Sequence, residues 1–267
     1  APLIMRSFPS SNKTIVVKVS TQMITDGVAE IYCDKIKEFV KEVADLIKEG
    51  HDIIIVSSGA IGCGLTRLGM KTRPNDFKQL QAIASVGQIL LMKIYQEEFE
   101  KHGLQTGQIL LTADDTKDST RRSNVRNTLE TLLERGIVPI INENDSVAIE
   151  ELRYGDNDRL SALVSVLLFV DLVIIHTDVR GLFDKNPKIH EDAELIDEIE
   201  KIDENIQKLA EDIDGGVTFG GMTSKIRAIK KLTNIGIPAI ITSFNNQDIL
   251  KRIISGEELG TYFKPQA

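Results

Sequence analysis

TIVVKV at residues 14–19 and DIIIVS at residues 52–57 are short, nearly unbroken runs of β-branched and apolar residues. Runs of this kind, without polar alternation, fit strands buried on both faces of a sheet. Between them Ile36, Phe39, Val40, Val43, Leu46 and Ile47 recur at helical spacing through residues 30–49, and Gly50 follows. That spacing predicts an apolar stripe on a helix, ended by a glycine that accepts the left-handed conformation. A strand, a helix and a second strand make a βαβ unit, whose crossover sets the two strands parallel.

The rest of the chain repeats the alternation. QILLT (108–112), IVPIIN (137–142), LVIIHT (172–177), IPAIITS (237–243) and GTYF (260–263) read as strands. Residues 78–101, 119–135, 158–169, 203–212, 222–235 and 246–255 read as helices. The expected fold class is α/β, a three-layer α/β/α sandwich with a mainly parallel central sheet. Residues 13–267 are expected to form a single domain with two lobes, about 13–171 and 172–263. Residues 1–12 show no periodicity; they are expected to be disordered or extraneous, with Met5 a candidate native start. The charged stretch 184–200 reads as a surface excursion.

Composition removes several function classes. At 42% hydrophobic the 267-residue chain can bury a sizeable core, which argues against intrinsic disorder. Acids outnumber bases by 40 to 32, a net charge of −8, which argues against a general nucleic-acid binder. The chain has no tryptophan and few aromatics, so stacking platforms for bases are scarce. The longest apolar stretch, 160–175, is interrupted by Ser161, Ser165 and Asp171, so no membrane partner is expected. No secretory signal is evident, and Cys33 and Cys63 supply neither a disulfide framework nor metal-ligand spacing. A cytoplasmic protein with reduced thiols is expected.

In open α/β sheets, ligands bind beyond the carboxyl ends of the strands. The polar motifs of this chain fall there. Lys18 interrupts an apolar strand and is followed by Ser20 and Thr21; it is either solvated at an edge or buried with a strong partner. SSGAIGCG (57–64) follows the second strand and opens a helix, an arrangement that suits an anion as well as an ordinary turn. Asn142, Glu143, Asn144 and Asp145 follow the fourth strand, and Asp156, Asn157 and Asp158 open a helix. Helix capping and loop solvation account for some of these, but together they suit a small zwitterion, with acids for its ammonium and amides for its carboxylate. The order of an EF-hand loop is absent. Thr177 and Asp178 end the fifth strand, and GGVTFGGMTSK (215–225) runs into a helix bearing Lys225 in its first turn. His51, His102, His176 and His190 are dispersed, and no Ser or Cys stands at triad spacing. Two lysines and two glycine-rich turns without a covalent nucleophile point to direct in-line phosphoryl transfer, which needs positioning and charge neutralisation.

The segments VVKVST, SSGAIGCG, QAIASVGQ, GQILLT, VPIINENDSVA, GDNDRLSAL, TDVRGLF, GGMTSK and GTYF resemble the amino acid kinase family, and within it the glutamate 5-kinase branch, across residues 14–263. The resemblance implies transfer of the ATP γ-phosphate to the side-chain carboxylate of L-glutamate at the start of proline synthesis. By position, it implies that Lys18 and Lys225 neutralise the transferring phosphoryl group and that Asp158 orients them. It places glutamate against Ser58, Gly59, Ala60, Asp145, Asp156 and Asn157. It places ATP against Lys18, Thr177, Asp178 and the loop Phe219, Gly220, Gly221, Met222, Thr223, Ser224 and Lys225. Mg²⁺ is expected on the ATP phosphates with no named protein ligand, proline as a feedback inhibitor, and a homo-oligomer, dimer or tetramer. Ser20 stands where the family usually has glycine, and Phe219 where it usually has threonine. No PUA domain is expected after GTYF, so nothing tied to such a domain is carried over, and no nucleic-acid partner is expected. The alternatives are a non-catalytic amino-acid sensor and a kinase of this fold acting on another small acid.

Overall fold

A computed structural model describes the chain except for residues 1–5, 7, 9–11, 29, 149–156, 217–220 and 267. In chain order the described elements begin with β1 (Thr14–Val19), α1 (Thr21–Ile24), α2 (Cys33–Lys48), β2 (Asp52–Ser57), α3 (Ala60–Arg67) and α4 (Phe77–Glu100). They continue with β3 (Thr106–Leu111), α5 (Ala113–Lys117), α6 (Ser119–Glu134), β4 (Val138–Glu143), α7 (Asp158–Leu168) and β5 (Leu172–Thr177). The last are β6 (Glu198–Ile199), α8 (Glu204–Asp214), α9 (Met222–Thr233), β7 (Ala239–Ser243), α10 (Ile249–Ile254) and β8 (Thr261–Phe263).

The strands form one sheet in the order β3-β4-β2-β1-β5-β7-β8-β6. Every pairing is parallel except β7 with β8. Strand alternation divides the core into two layers. Ile15, Val17, Val19, Ile53, Ile55 and Ile174 face α2, α4 and α10, where Phe39, Val43, Leu91, Tyr95 and Leu250 meet them. Val16, Ile54, Val56, Ile141, Val173 and Ile175 face the other way, onto Leu129, Val164, Ile226 and Ile229 of α6, α7 and α9. This is the expected α/β/α sandwich. Among the described residues no helix is long and apolar enough to cross a membrane.

The far edge differs from the expectation in detail. The charged excursion contributes β6, and Phe183 bridges Leu195, so the segment returns to the sheet instead of staying wholly on the surface. β7 opens at Ala239 because Pro238 has no N–H for the ladder; its carbonyl still accepts from Val173.

Topology positions the site. β2 leaves β1 on one side, and β5 returns to its other side, so the connections diverge between β1 and β5. A crevice opens at such a switch point. Gly59, the N-cap of α3, holds φ +109°, and a Cβ there would lie 2.7 Å from Ile24. Gly87 of α4 lets that helix press on α3: an added Cβ would lie 1.6 Å from the carbonyl oxygen of Ala60. The small residues around SSGAIGCG therefore serve backbone packing as well as any ligand.

Candidate active site

Lys18 sits in β1 between β2 and β5 and is wholly buried, so the edge-strand alternative is excluded. Its Nζ lies 3.0 Å from Oδ1 of Asp158, which is equally buried. The second carboxylate oxygen of Asp158 lies 3.4 Å from Nζ of Lys225, in the first turn of α9. One carboxylate thus spans two ammonium groups brought from β1 and from α9. Burying three charges is tolerable only when they compensate one another. Asp158 opens α7, but its side chain does not cap it; Asn157 occupies the N-cap position and makes no side-chain cap bond either.

The amide of Asn157 is used elsewhere. Its Nδ2 donates to the Ser57 carbonyl at 3.1 Å and to Oδ1 of Asn142 at 2.7 Å. Asn142 Nδ2 donates in turn to Gln88 Oε1, and Gln88 Nε2 to Gln108 Oε1. This chain ties the ends of β2 and β4 to α4 and fixes the start of α7. Gln88 and Gln108 fall in the segments QAIASVGQ and GQILLT, but the sequence reading gave them no role. Ser58 is buried at the end of β2, its N–H donating to the carbonyl of Val19. The Ser20 hydroxyl is buried without a hydrogen-bond partner among the described residues.

Asp145 lies in the turn after β4, held by Gln81 Nε2 donating to its carbonyl oxygen. Its carboxylate is buried, and Oδ1 has no hydrogen-bond partner among the described residues. Desolvation pushes its pKa up to about 7. It lines a cavity of about 50 Å³ together with Thr21, Gly59, Ala60, Gly62 and Arg73. Arg73 had no signal in the sequence beyond preceding a proline.

A second cavity, about 310 Å³, is lined by Thr177, Asp178, Val179, Phe183, Met222 and Lys225 among others. Thr177 Oγ1 donates to Asp178 Oδ1 at 3.1 Å. Asp214, at the end of α8, also lines it and accepts from the backbone N–H of Met222 at 2.7 Å and of Thr223 at 2.8 Å. Gly221 makes room for this carboxylate, since a Cβ there would lie 2.4 Å from Asp214 Oδ1. Two N–H groups at the start of α9, a natural phosphate site, are therefore engaged by an acid the sequence reading overlooked. Ser224 is half-buried on the same turn. Asp156, Phe219 and Gly220 lie outside the described residues.

The structure thus brings together two lysines that share one acid, and Lys225 also lines the larger cavity. Residues 13–243 match the amino acid kinase family. A relative from Marinomonas sp., named glutamate 5-kinase, is 42% identical over 262 residues, covering 98% of this chain and 70% of its own. One of the same name from Clostridium tetani is 41% identical over 253 residues, 94% of each chain. Among solved structures, UMP kinase from Bacillus anthracis superposes with a TM-score of 0.63 at 14% identity, over 96% of this chain and 97% of its own, which establishes the shared fold. The chain belongs to the amino acid kinase family, and within that family to the glutamate 5-kinases.

Proposed function

We propose that this chain transfers the γ-phosphoryl group of ATP to the side-chain carboxylate of L-glutamate, the entry step of proline biosynthesis. The observation that carries the reading is the Asp158 bridge between Lys18 and Lys225. Glutamate occupies the small cavity with its ammonium toward Asp145, and its side chain runs to the crevice over Lys18. ATP occupies the larger cavity beside Thr177 and Asp178, with its γ-phosphate directed at Lys225. A carboxylate oxygen of glutamate attacks the γ-phosphorus in line. The bond from that phosphorus to the β,γ-bridging oxygen breaks, and ADP leaves with the electron pair. Both lysines meet the charge spread over the equatorial oxygens, the term expected to dominate such a reaction. Asp158 does not contact the reacting atoms in this scheme; it fixes where the two ammonium groups stand.

Among the described residues no three His, Cys, Asp or Glu side chains converge as a metal cage. Magnesium would enter with the nucleotide, carried on its phosphates, and would screen their charge there. Proline has the same α-carboxylate and a protonated amine, so it is proposed to compete for the Asp145 cavity. Raising glutamate should then shift the proline inhibition curve rightward; inhibition insensitive to saturating glutamate removes the shared site.

The direct test is ADP release with ATP, Mg²⁺ and L-glutamate, with hydroxylamine added to trap the acyl phosphate as a hydroxamate. Turnover with hydroxamate formation supports the reading. Binding of glutamate with no ADP release would leave a sensor instead.

A further inference from the structure

The substrate has three charged groups, and the oppositely charged side chains discussed so far answer two of them. Its side-chain carboxylate must reach the lysine pair, and its ammonium suits Asp145. The α-carboxylate still needs a partner, because a desolvated carboxylate without one is costly. The small cavity offers one cationic side chain in its lining, Arg73.

Several observations converge on Arg73. It stands in the connection between α3 and α4, and Pro74 restricts its backbone to extended conformations. Among the described residues, no ion pair or hydrogen bond engages its guanidinium, whereas Arg6, Arg121, Arg126 and Arg252 all have carboxylate or carbonyl partners. The carboxylate of Asp145 lines the same cavity, buried and with one oxygen unpartnered. Gly59, Ala60, Ile61 and Gly62 supply the wall at the N-terminal end of α3, and all but Ile61 carry little or no side chain. The cavity therefore carries an acid and a base, each with bonding capacity to spare. That is the complement of an α-amino acid head group.

We propose that Arg73 is a substrate-binding residue that grips the α-carboxylate of the amino acid by its guanidinium fork and so selects α-amino acids. This rests on the functional reading above. A planar fork can accept both carboxylate oxygens at once, which a lysine cannot. Arg73 remains exposed, so the contact is expected at the low end of charged hydrogen bonds, about tenfold in affinity.

The experiment compares the parent with Arg73→Met and Arg73→Lys, using L-glutamate and its α-amide, isoglutamine, which keeps the reacting side-chain carboxylate. Arg73→Met should raise KM for glutamate about tenfold, leave kcat within about twofold, and leave KM for isoglutamine unchanged. The preference of the parent for glutamate over isoglutamine then collapses, and Arg73→Lys restores part of it. Equal losses on both substrates, or no loss on glutamate, would overturn the inference while leaving the activity in place. A parent that does not phosphorylate glutamate overturns the functional reading, and this inference with it. The exposed position makes folding of the variants straightforward to confirm by their melting temperatures.

Discussion

Asp158→Asn tests the centre of the site. The substitution keeps shape and removes one charge from a group that is wholly buried, 3.0 Å from Lys18 and 3.4 Å from Lys225. At an effective dielectric constant of about 20, each contact is worth about 5 kcal/mol of gross attraction. Part of that is recovered by the amide and by relaxation. Removing one partner of a buried ion pair typically costs about 3–5 kcal/mol net. For a chain of this size, such a loss lowers Tm by roughly 10 °C. Catalysis should fall by about a hundredfold or more, because both lysines lose their anchor and transition-state donors must be held in place. The two effects separate in one further measurement. Removing the acid they share strengthens the pull of the two ammonium groups on an added anion, so pyrophosphate should raise the Tm of Asp158→Asn by more than it raises that of the parent. Differential scanning fluorimetry with and without pyrophosphate, beside a coupled ADP assay, gives all three numbers. A variant that melts within about 2 °C of the parent and turns over within a few-fold would refute the bridging role.

Three other outcomes are expected. Lys225→Ala should lower kcat about a hundredfold with KM for glutamate within about twofold, since its ammonium acts on charge that grows in the transition state; steady-state kinetics with glutamate varied decides it. Asp145 binds an ammonium only when ionised, and its pKa is pushed up to about 7, so KM for glutamate should rise as pH falls below that value and Asp145→Asn should flatten the profile. The same shift acts on folding: between the ordinary carboxyl value near 4 and about 7 the native state holds the extra proton, so stability falls as pH rises through that window, and Asp145→Asn should remove the fall in pH-dependent melts. Asp214→Ala frees the N–H groups of Met222 and Thr223 and takes a negative charge from the larger cavity, so KM for ATP should fall while stability drops by about 1 kcal/mol for the lost cap; an unchanged KM for ATP would mean the nucleotide phosphates never approach those groups.

What could be read from the sequence followed from local contradiction. Lys18 is a charge inside an apolar strand, and Asp158 opens an apolar helix; both demand a partner, and each is part of the other's answer. The buried strands and the stripe on α2 were legible because period and length are local properties. The two-residue strand β6 carries no period at all, and only its pairing with β8 defines it. Arg73, Asp214 and Gln88 were illegible for another reason. Each is an ordinary polar residue on a loop, a helix end or a helix face, and it acquires meaning from what the fold places opposite it: the Asp145 cavity, the N–H groups of α9, the amide of Asn142. The small residues of 57–64 were legible as a turn but ambiguous as to purpose, since close packing of α3 on α4 asks for the same residues as close approach of a ligand.

The distribution of acids around the crevice completes the physical picture. Asp145 lines the small cavity, and Asp178 and Asp214 line the large one. Acids on both outer walls disfavour a phosphate or a reacting carboxylate there, the α-carboxylate being answered by Arg73, while the lysine pair lies on the side of the sheet where β1 and β5 part. Each substrate is an anion at its reacting end: the side-chain carboxylate of one and the γ-phosphate of the other. In the proposed reaction both ends are drawn toward Lys18 and Lys225, and their mutual repulsion, which opposes reaction in water, is offset where they meet. Asp158 sets the limit of that attraction. In the proposed reaction it partly neutralises the two lysines in the free protein, weakening their hold on any phosphate, product ADP included, so that they answer most strongly the charge that develops between the substrates.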